Sequence, residues 1–350
     1  MTKTPKKLLP KNFEEMLRKG ELSELKAVFE TCDLNARGGY GKQTALAFNE
    51  CPDELVRWLV AQGADLSAAD TRGNTPLHSR AHSRKGRIRV LLELGADVNS
   101  ASASIGTPLH AAAASHNVGN ALLLLDRGAQ VNATNREGLT PLELALRGCN
   151  NIDLEDMVQL ALGLIAAGAC KTPTMKDFVE SIGKNFEFFR AGFNLEYVDA
   201  ASAALDRLYD LFEVPPVPRR TMHDGRSQIV VKEAPWQEQH RELWQLLVPS
   251  RGHAATVQGE LVRISGRISR ELEGNGGGNW DADYKKMADA FLEHIQTGTP
   301  LPSHQISEAA EIVAEVKRKS GDTARMAELA VVWVLANPTP IQLDPPPYKR

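Results

Sequence analysis

Two histidines, His78 and His110, lie 32 residues apart in the same four-residue phrase, Thr-Pro-Leu-His. Imidazole is the side chain best suited to move protons or bind metals near neutral pH, so each is a candidate base or ligand. No nucleophile stands at a spacing that pairs it with either ring. The chain has no glycine-rich loop ending in Lys-Ser or Lys-Thr, no Cys-x-x-Cys and no His-Glu-x-x-His. The run Gly274-Asn275-Gly276-Gly277-Gly278-Asn279 lacks the preceding strand and following lysine of a phosphate cradle, and is expected to be a flexible helix–helix loop. The most concentrated polar group is Glu260, Arg263 and Arg267, spaced i, i+3 and i+7 on one helix face. Asn279, Trp280 and Asp281, with Asp283, open the next helix. The expected reading is a solvated face with internal ion pairs. The sharper reading is a polar groove with an exposed aromatic, suited to a partner's charged segment more than to catalysis.

The elements that would carry these residues follow from periodicity. Thr75-Pro76-Leu77-His78, Thr107-Pro108-Leu109-His110 and Thr140-Pro141-Leu142-Glu143 return at steps of 32 and 33, and Thr44-Ala45-Leu46 is a weaker earlier copy. Gly63-Ala64-Asp65, Gly95-Ala96-Asp97 and Gly128-Ala129-Gln130 keep the same beat. Within a unit, Asp70–Asn74 is turn chemistry with Gly73 free to take positive φ. Thr75 is a helix N-cap, and Pro76 sits where its missing N–H costs nothing. A second helix carries Ile88, Val90, Leu91, Leu92 and Leu94, and Gly95 ends it. Leu122–Leu125 is the matching core of the next unit. One such unit cannot bury its own apolar face, so units must stack in phase.

Both phrases recurring together resemble the ankyrin-repeat family over about residues 12–213. The resemblance implies an N-cap at 12–38, repeats at about 39–69, 70–100, 101–132 and 133–171, and a degenerate C-cap at 172–213. It implies that the histidine of the phrase joins neighbouring turns by hydrogen bonds, which makes His78 and His110 structural. It also implies that binding occurs on the concave side, at positions flanking the phrase. Here these are Thr71, Arg72, Asn74, His82 and Ser83, then Ala103, Ser104 and Ser115, then Arg136, Glu137, Leu139 and Arg147. The third unit departs from the pattern, because Gly106 directly precedes Thr107 and reshapes the turn. About seven residues are inserted around Gly148–Asp156, as a recognition loop or as drift.

Residues 1–11 read as a flexible N-terminus, and the prolines between Val214 and Arg220 begin a semi-rigid linker over 214–235. Ile229-Val230-Val231 is a candidate edge strand. A helical domain spans 236–336. Trp236, His240, Leu243, Trp244 and Leu247 form one helical face, and Val257, Leu261, Ile264, Ile268 and Leu272 form another. The run Ala330–Leu335 is apolar all round and is expected at the bundle's centre. Residues 337–350 make a proline-rich tail, expected to be extended and mobile. Val257-Gln258-Gly259-Glu260 and Asn279-Trp280-Asp281 are similar to stretches of uncharacterised bacterial helical domains, a likeness that implies a bacterial source and no activity. The fold class is therefore all-α, an ankyrin-type α-solenoid of helix-turn-helix repeats with a second, small C-terminal helical bundle.

The net charge of −3 gives no global pull toward nucleic acid or membrane, and no run of 18 apolar residues occurs. Four scattered cysteines read as reduced thiols, which with the lack of a secretory signal points to the cytoplasm. Arg80, Arg84, Lys85, Arg87 and Arg89 form a local basic patch suited to steering an acidic protein. Membrane attachment through Lys3, Lys6, Lys7 and Lys11 lacks the apolar face it needs. The expected function is a non-catalytic scaffold or adaptor that grips a protein partner with acidic segments, a bacterial regulatory or immunity-type protein in its narrower form. No cofactor, metal, nucleic acid or membrane is implied. The alternative is an enzyme with its catalytic unit at 236–336 and the repeats selecting substrate.

Overall fold

The structure, a computed structural model, describes residues 4–350. They divide into two compact units, one of residues up to 186 with 194–217, the other of 187–193 with 218–350.

The first unit begins with order where the sequence predicts a loose end. Strand β1 (Lys6–Leu8) pairs in parallel with β2 (Cys32–Gly38), which pairs antiparallel with β3 (Gln43–Thr44). Leu9 is buried on Gly38, and Phe13 meets Phe29 and Phe48 edge-to-face at 6.2 and 5.7 Å. The flexible reading of 1–11 is thus corrected from Lys6 onward: three residues are too few to show a period, and their pairing partner lies 26 residues away. Helices α1 (Phe13–Lys19) and α2 (Leu22–Ala27) cap the stack.

Repeats follow as helix pairs. The first has only a 3-10 turn at Ala45–Ala47 before α3 (Asp53–Ala61). The reason lies three residues past Thr44, where Ala47 replaces the histidine, so no capping box forms and the buried Thr44 Oγ1 has no partner among the described residues. Next come α4 (Pro76–Ala81) with α5 (Arg89–Glu93), α6 (Pro108–Ala114) with α7 (Val118–Asp126), and α8 (Pro141–Gly148) with α9 (Leu154–Ala166). Helices α10 (Pro173–Phe189) and α11 (Leu195–Phe212) come last. Gly73 and Gly95 have φ of +83° and +92°, as their turns require. Of Leu122–Leu125 only Leu124 is fully buried. Leu122 is 46% exposed and instead lies along Gly163 of the next pair, which corrects the expected four-residue core.

The Gly148–Asp156 insertion is not an open loop. It makes a 3-10 turn (Asn151–Asp153) whose Asp153 is buried, ion-paired with Arg84 and 3.8 Å from His116 Nδ1. The insertion ties its repeat back to the two before it. The basic patch shrinks accordingly. Arg84 is paired, and Arg80 is fully buried, its guanidinium donating to the carbonyls of Leu46 (2.7 Å), Cys51 and Arg87.

The second unit contains α12 (Trp236–Leu247), α13 (Val257–Ser269, prolonged by a π-helical turn at Arg270–Gly274), α14 (Ala282–His294), α15 (Ser303–Val316) and α16 (Thr323–Ala336). Its centre is α13, packed against α12, α14 and α16, with every residue from Thr256 to Ser265 buried. That corrects the expectation for α16, where Trp333 is buried but Val332 and Leu335 are 37% and 44% exposed. Close approach to α13 needs a glycine: a Cβ on Gly266 would stand 2.4 Å from the Trp244 ring. Two further readings are corrected. Ile229 is buried and its N–H donates to Pro338 O at 2.8 Å, but the segment is extended chain and not a strand. The glycine loop is bound, not free, because buried Glu271 accepts from Asn275 and from both nitrogens of Asn279.

Candidate functional site

Each turn of the stack is built locally and then tied to the next. Asp70 Oδ1 accepts the N–H groups of Arg72 and Asn74 at 2.8 and 2.9 Å, and Asn135 Oδ1 does the same for Glu137 and Leu139. Thr71 donates through both its N–H and hydroxyl to Gly41 O. Asn74 Oδ1 accepts from Ser102 and Ser104 at 2.7 and 2.8 Å. In the third repeat Ser102 and Gly106 bridge across a reshaped turn, with Gly106 at φ +104°.

The histidines complete the linkage. The N–H of Thr75 reaches His78 Nδ1, which leaves Nε2–H to donate to Gly106 O at 3.0 Å. Thr107, His110 and Leu139 O repeat this geometry. Burial pushes both imidazoles below their ordinary pKa, so they stay neutral and occupied. Families described as ankyrin repeats match residues 42–135 (three copies) and 109–162 (many copies). The first unit carries an ankyrin-repeat stack. A search among curated proteins finds no match to the chain. Ankyrin repeats in general mediate protein–protein interaction.

On this stack the predicted positions separate into those that line a cleft and those that lie outside it. Arg72, Asn74, His82 and Ser104 line one cleft of about 400 Å³, together with Tyr40 and Ile105. The ankyrin tips at 40, 72, 104 and 136 fall at steps of 32, and Tyr40, Arg72, Ser104 and Arg136 are all exposed. Tyr40 is 97% exposed, the most open of the large hydrophobic side chains among the described residues. Sequence reasoning missed it, although counting back 32 residues from Arg72 reaches it. Thr71 is spent on Gly41, and Ser115 on carbonyls of Ala81 and the preceding turn. The Ser83 carbonyl holds Asn117. Glu137 pairs with Arg147, whose hydrogen bond and charge hold its carboxyl below the usual range, and Leu139 lends its carbonyl to His110.

The second group lies wholly in the other unit and is not a solvated face. Glu260 and Arg263 are 0% and 1% exposed and form a two-pronged ion pair at 2.8 and 2.6 Å. The helix face is covered by residues 337–350, which are extended but not free. Tyr348 OH donates to Glu260 Oε1 at 2.8 Å, Ala254 N–H to Oε2 at 2.9 Å, and Arg263 to Arg350 O. Arg350 in turn pairs with Asp281 at 2.6 Å, and the Lys349 N–H reaches Asp283. Burial opposes the charged form of Glu260, but Arg263 and the two other donors outweigh it and hold the carboxyl low. Arg267 is half-buried, Asn279 is taken up by Glu271, and Trp280 stacks on Tyr284 with centroids 5.0 Å apart. Three of the six predicted residues, Glu260, Arg263 and Asp281, are therefore brought together around the chain's own segment 348–350, and Arg267, Asn279 and Trp280 are not bonded to it. Among the described residues no group of three or more His, Cys, Asp and Glu side chains is placed to hold a metal, and no helix is long and apolar enough to cross a membrane. Of the lysines weighed for membrane attachment, Lys3 lies outside the described residues.

Proposed function

We propose that the chain is a non-catalytic adaptor whose ankyrin stack binds a protein partner across the exposed tips Tyr40, Arg72, Ser104 and Arg136. The observation that carries this reading is Tyr40, an aromatic ring left 97% exposed at the rim of a 400 Å³ cleft beside exposed Arg72. Tyrosine and arginine are among the side chains most enriched where interfaces concentrate their energy. Arg72 and Arg136 stand on the tips with no acidic partner among the described residues, which favours a complementary surface with acidic segments. The polar group that motivates an enzymatic reading of 236–336 is bonded to residues 348–350, which supports binding over catalysis. A regulatory or immunity-type role, in which the stack occludes an enzyme, is the narrower form of this proposal.

Affinity capture from the native cell followed by mass spectrometry tests it. The partner recovered by the unmodified protein is expected to fall at least about tenfold with Tyr40→Ala/Arg72→Glu, because hot-spot losses reach 2 kcal/mol or more. Equal recovery by the two proteins would overturn the assignment of this face.

A further inference from the structure

The segment covering the polar face of α13 is held unevenly along its length. From Asn337 to Leu343 it is bonded like an added strand. Gln258 donates to Asn337 O and Thr339 O and accepts from Ile341 N–H, while Val257 N–H donates to Ile341 O and Leu343 N–H to Ala255 O. Pro345-Pro346-Pro347 then offers no N–H at all. Beyond these prolines, Tyr348, Lys349 and Arg350 are bound again, by other chemistry.

Four receptor groups meet those three residues. Glu260 Oε1, fully buried, accepts the phenol hydroxyl at 2.8 Å. Arg263 donates to the carbonyl of Arg350. Asp283 accepts the Lys349 N–H at 3.1 Å. Asp281 takes the Arg350 guanidinium through two nitrogens at 2.9 and 2.6 Å, with that guanidinium lying 5.6 Å from the Tyr284 ring centre. The Lys349 side chain is exposed and bonds to none of the described residues, so the middle position is unread. The arrangement thus selects an aromatic hydroxyl and an arginine two residues apart, plus the backbone between them. A peptide with carboxylates there would face Glu260, Asp281 and Asp283.

We propose that this groove is a recognition site for a Tyr-x-Arg segment of a partner protein, occupied in cis by Tyr348-Lys349-Arg350. It does not rest on the cleft of the ankyrin stack. The proline run has no N–H with which to bond the bundle, and the outer contact is weak: Arg350 and Asp281 are each 42% exposed, where solvent screens an ion pair. Release of the Arg350 end therefore needs far less free energy than unfolding the bundle, whereas Tyr348, 6% exposed, is the anchor that has to leave buried Glu260. A tethered occupant acts at an effective concentration on the order of 1 mM, so a free segment competes poorly until the tether is loosened.

Fluorescence anisotropy with a labelled, amidated Pro-Pro-Pro-Tyr-Lys-Arg peptide tests the proposal on the full chain. Tyr348→Phe/Arg350→Gln removes the hydroxyl and the guanidinium of the cis occupant while keeping its bulk. The peptide is expected to bind this variant at least about tenfold more tightly than the unmodified chain, the apparent Kd falling as the open fraction rises. Adding Asp281→Asn, which keeps a good helix N-cap, is expected to reverse that gain. If the double variant loses cooperative melting, Arg350→Gln alone serves, since Arg350 lies at the surface. No gain on loosening, or a gain insensitive to Asp281→Asn, would overturn the proposal.

Discussion

Thr172 donates a 2.6 Å hydrogen bond to Glu143, the residue that stands where His78 and His110 stand in the two preceding repeats. The task is conserved in geometry while the chemistry is inverted. A histidine accepts from its own cap and donates to a carbonyl of the next turn. Glu143 accepts from both sides, from Thr140 N–H at 2.9 Å and from the Thr172 hydroxyl, so the next turn supplies a donor in place of a carbonyl.

Replacing Glu143 by Ala is therefore expected to cost about 2 kcal/mol, the range for hydrogen bonds to a charged group, read as a lower urea midpoint. Burial would raise the Glu143 carboxyl, but the bonds from Thr140 and Thr172 prevail and hold it below the ordinary value. Its contribution is thus complete above the unfolded carboxylate value and is lost as pH falls through the folded one. Glu143→Gln should show a shallower loss of stability between neutral pH and acid than the unmodified protein. Parallel acid profiles for the two would remove this account.

His78 and His110 carry the opposite charge type and the same direction of loss. Burial, with Gly106 O, Leu139 O and nearby groups opposing it, keeps both folded-state values below that of a free imidazole. The folded chain therefore binds fewer protons than the unfolded one as pH drops below about 6.5, the ordinary imidazole value. Stability should decline from there down to the folded values, by at most about 1.4 kcal/mol per pH unit per site. Melting between pH 7.5 and pH 5 checks this. His78→Gln/His110→Gln should melt lower at pH 7.5 and show a flatter slope, and an unchanged slope would assign the acid loss to other groups.

What could be read from the chain beforehand follows the range of the interactions. Thr75, Pro76 and His78 act within four residues, so their cap was visible as a phrase, and its failure at Ala47 is equally local. Glu260 and Arg263 misled because the period that marks an apolar stripe also marks its opposite side as wet. What dries that side is bonding from Gln258 to residues 79 to 83 positions away, in a proline-rich stretch with no pattern of its own. Arg80 misled for the same reason: its partners are backbone carbonyls, which have no sequence signature. Tyr40, by contrast, was legible through the 32-residue step and was hidden only by glycines on either side.

Two glycines in helices should respond with opposite signs to the same added methyl group. At Gly266 in α13 a Cβ would meet Trp244 at 2.4 Å, and the ring cannot retreat easily because it stacks with Phe188 and His240. Gly266→Ala is expected to destabilise by about 1–3 kcal/mol, as overpacking does, with a shift in tryptophan fluorescence. Gly119 in α7 is exposed, and its nearest neighbour to a new Cβ is Asn117 Oδ1 at 3.8 Å. Gly119→Ala should stabilise by about 0.5–1 kcal/mol through helix propensity and unfolded-state entropy. Urea unfolding of both variants decides it, and loss at both positions would mean that the space around Gly119 is misjudged.

The four cysteines all lie in the first unit and offer a final test of its integrity. Thiolate, not thiol, reacts with disulfide reagents, so reactivity follows exposure and pKa together. Cys170 is exposed, whereas Cys32, Cys51 and Cys149 are buried. Burial pushes the Cys51 thiol up to about 11, against the lowering pull of Arg80, and the Cys149 thiol up to about 12, where the Asp153 charge adds to the rise. A disulfide reagent at pH 8 should therefore titrate one thiol per folded chain quickly and all four only after denaturant is added. Cys170→Ser should abolish the fast phase. Adding Asp153→Ala, which cuts the tie between Arg84, His116 and the inserted turn, should let Cys149 react at a rate set by local opening of α8 and α9. A second fast thiol in the unmodified protein would contradict the packing of the stack.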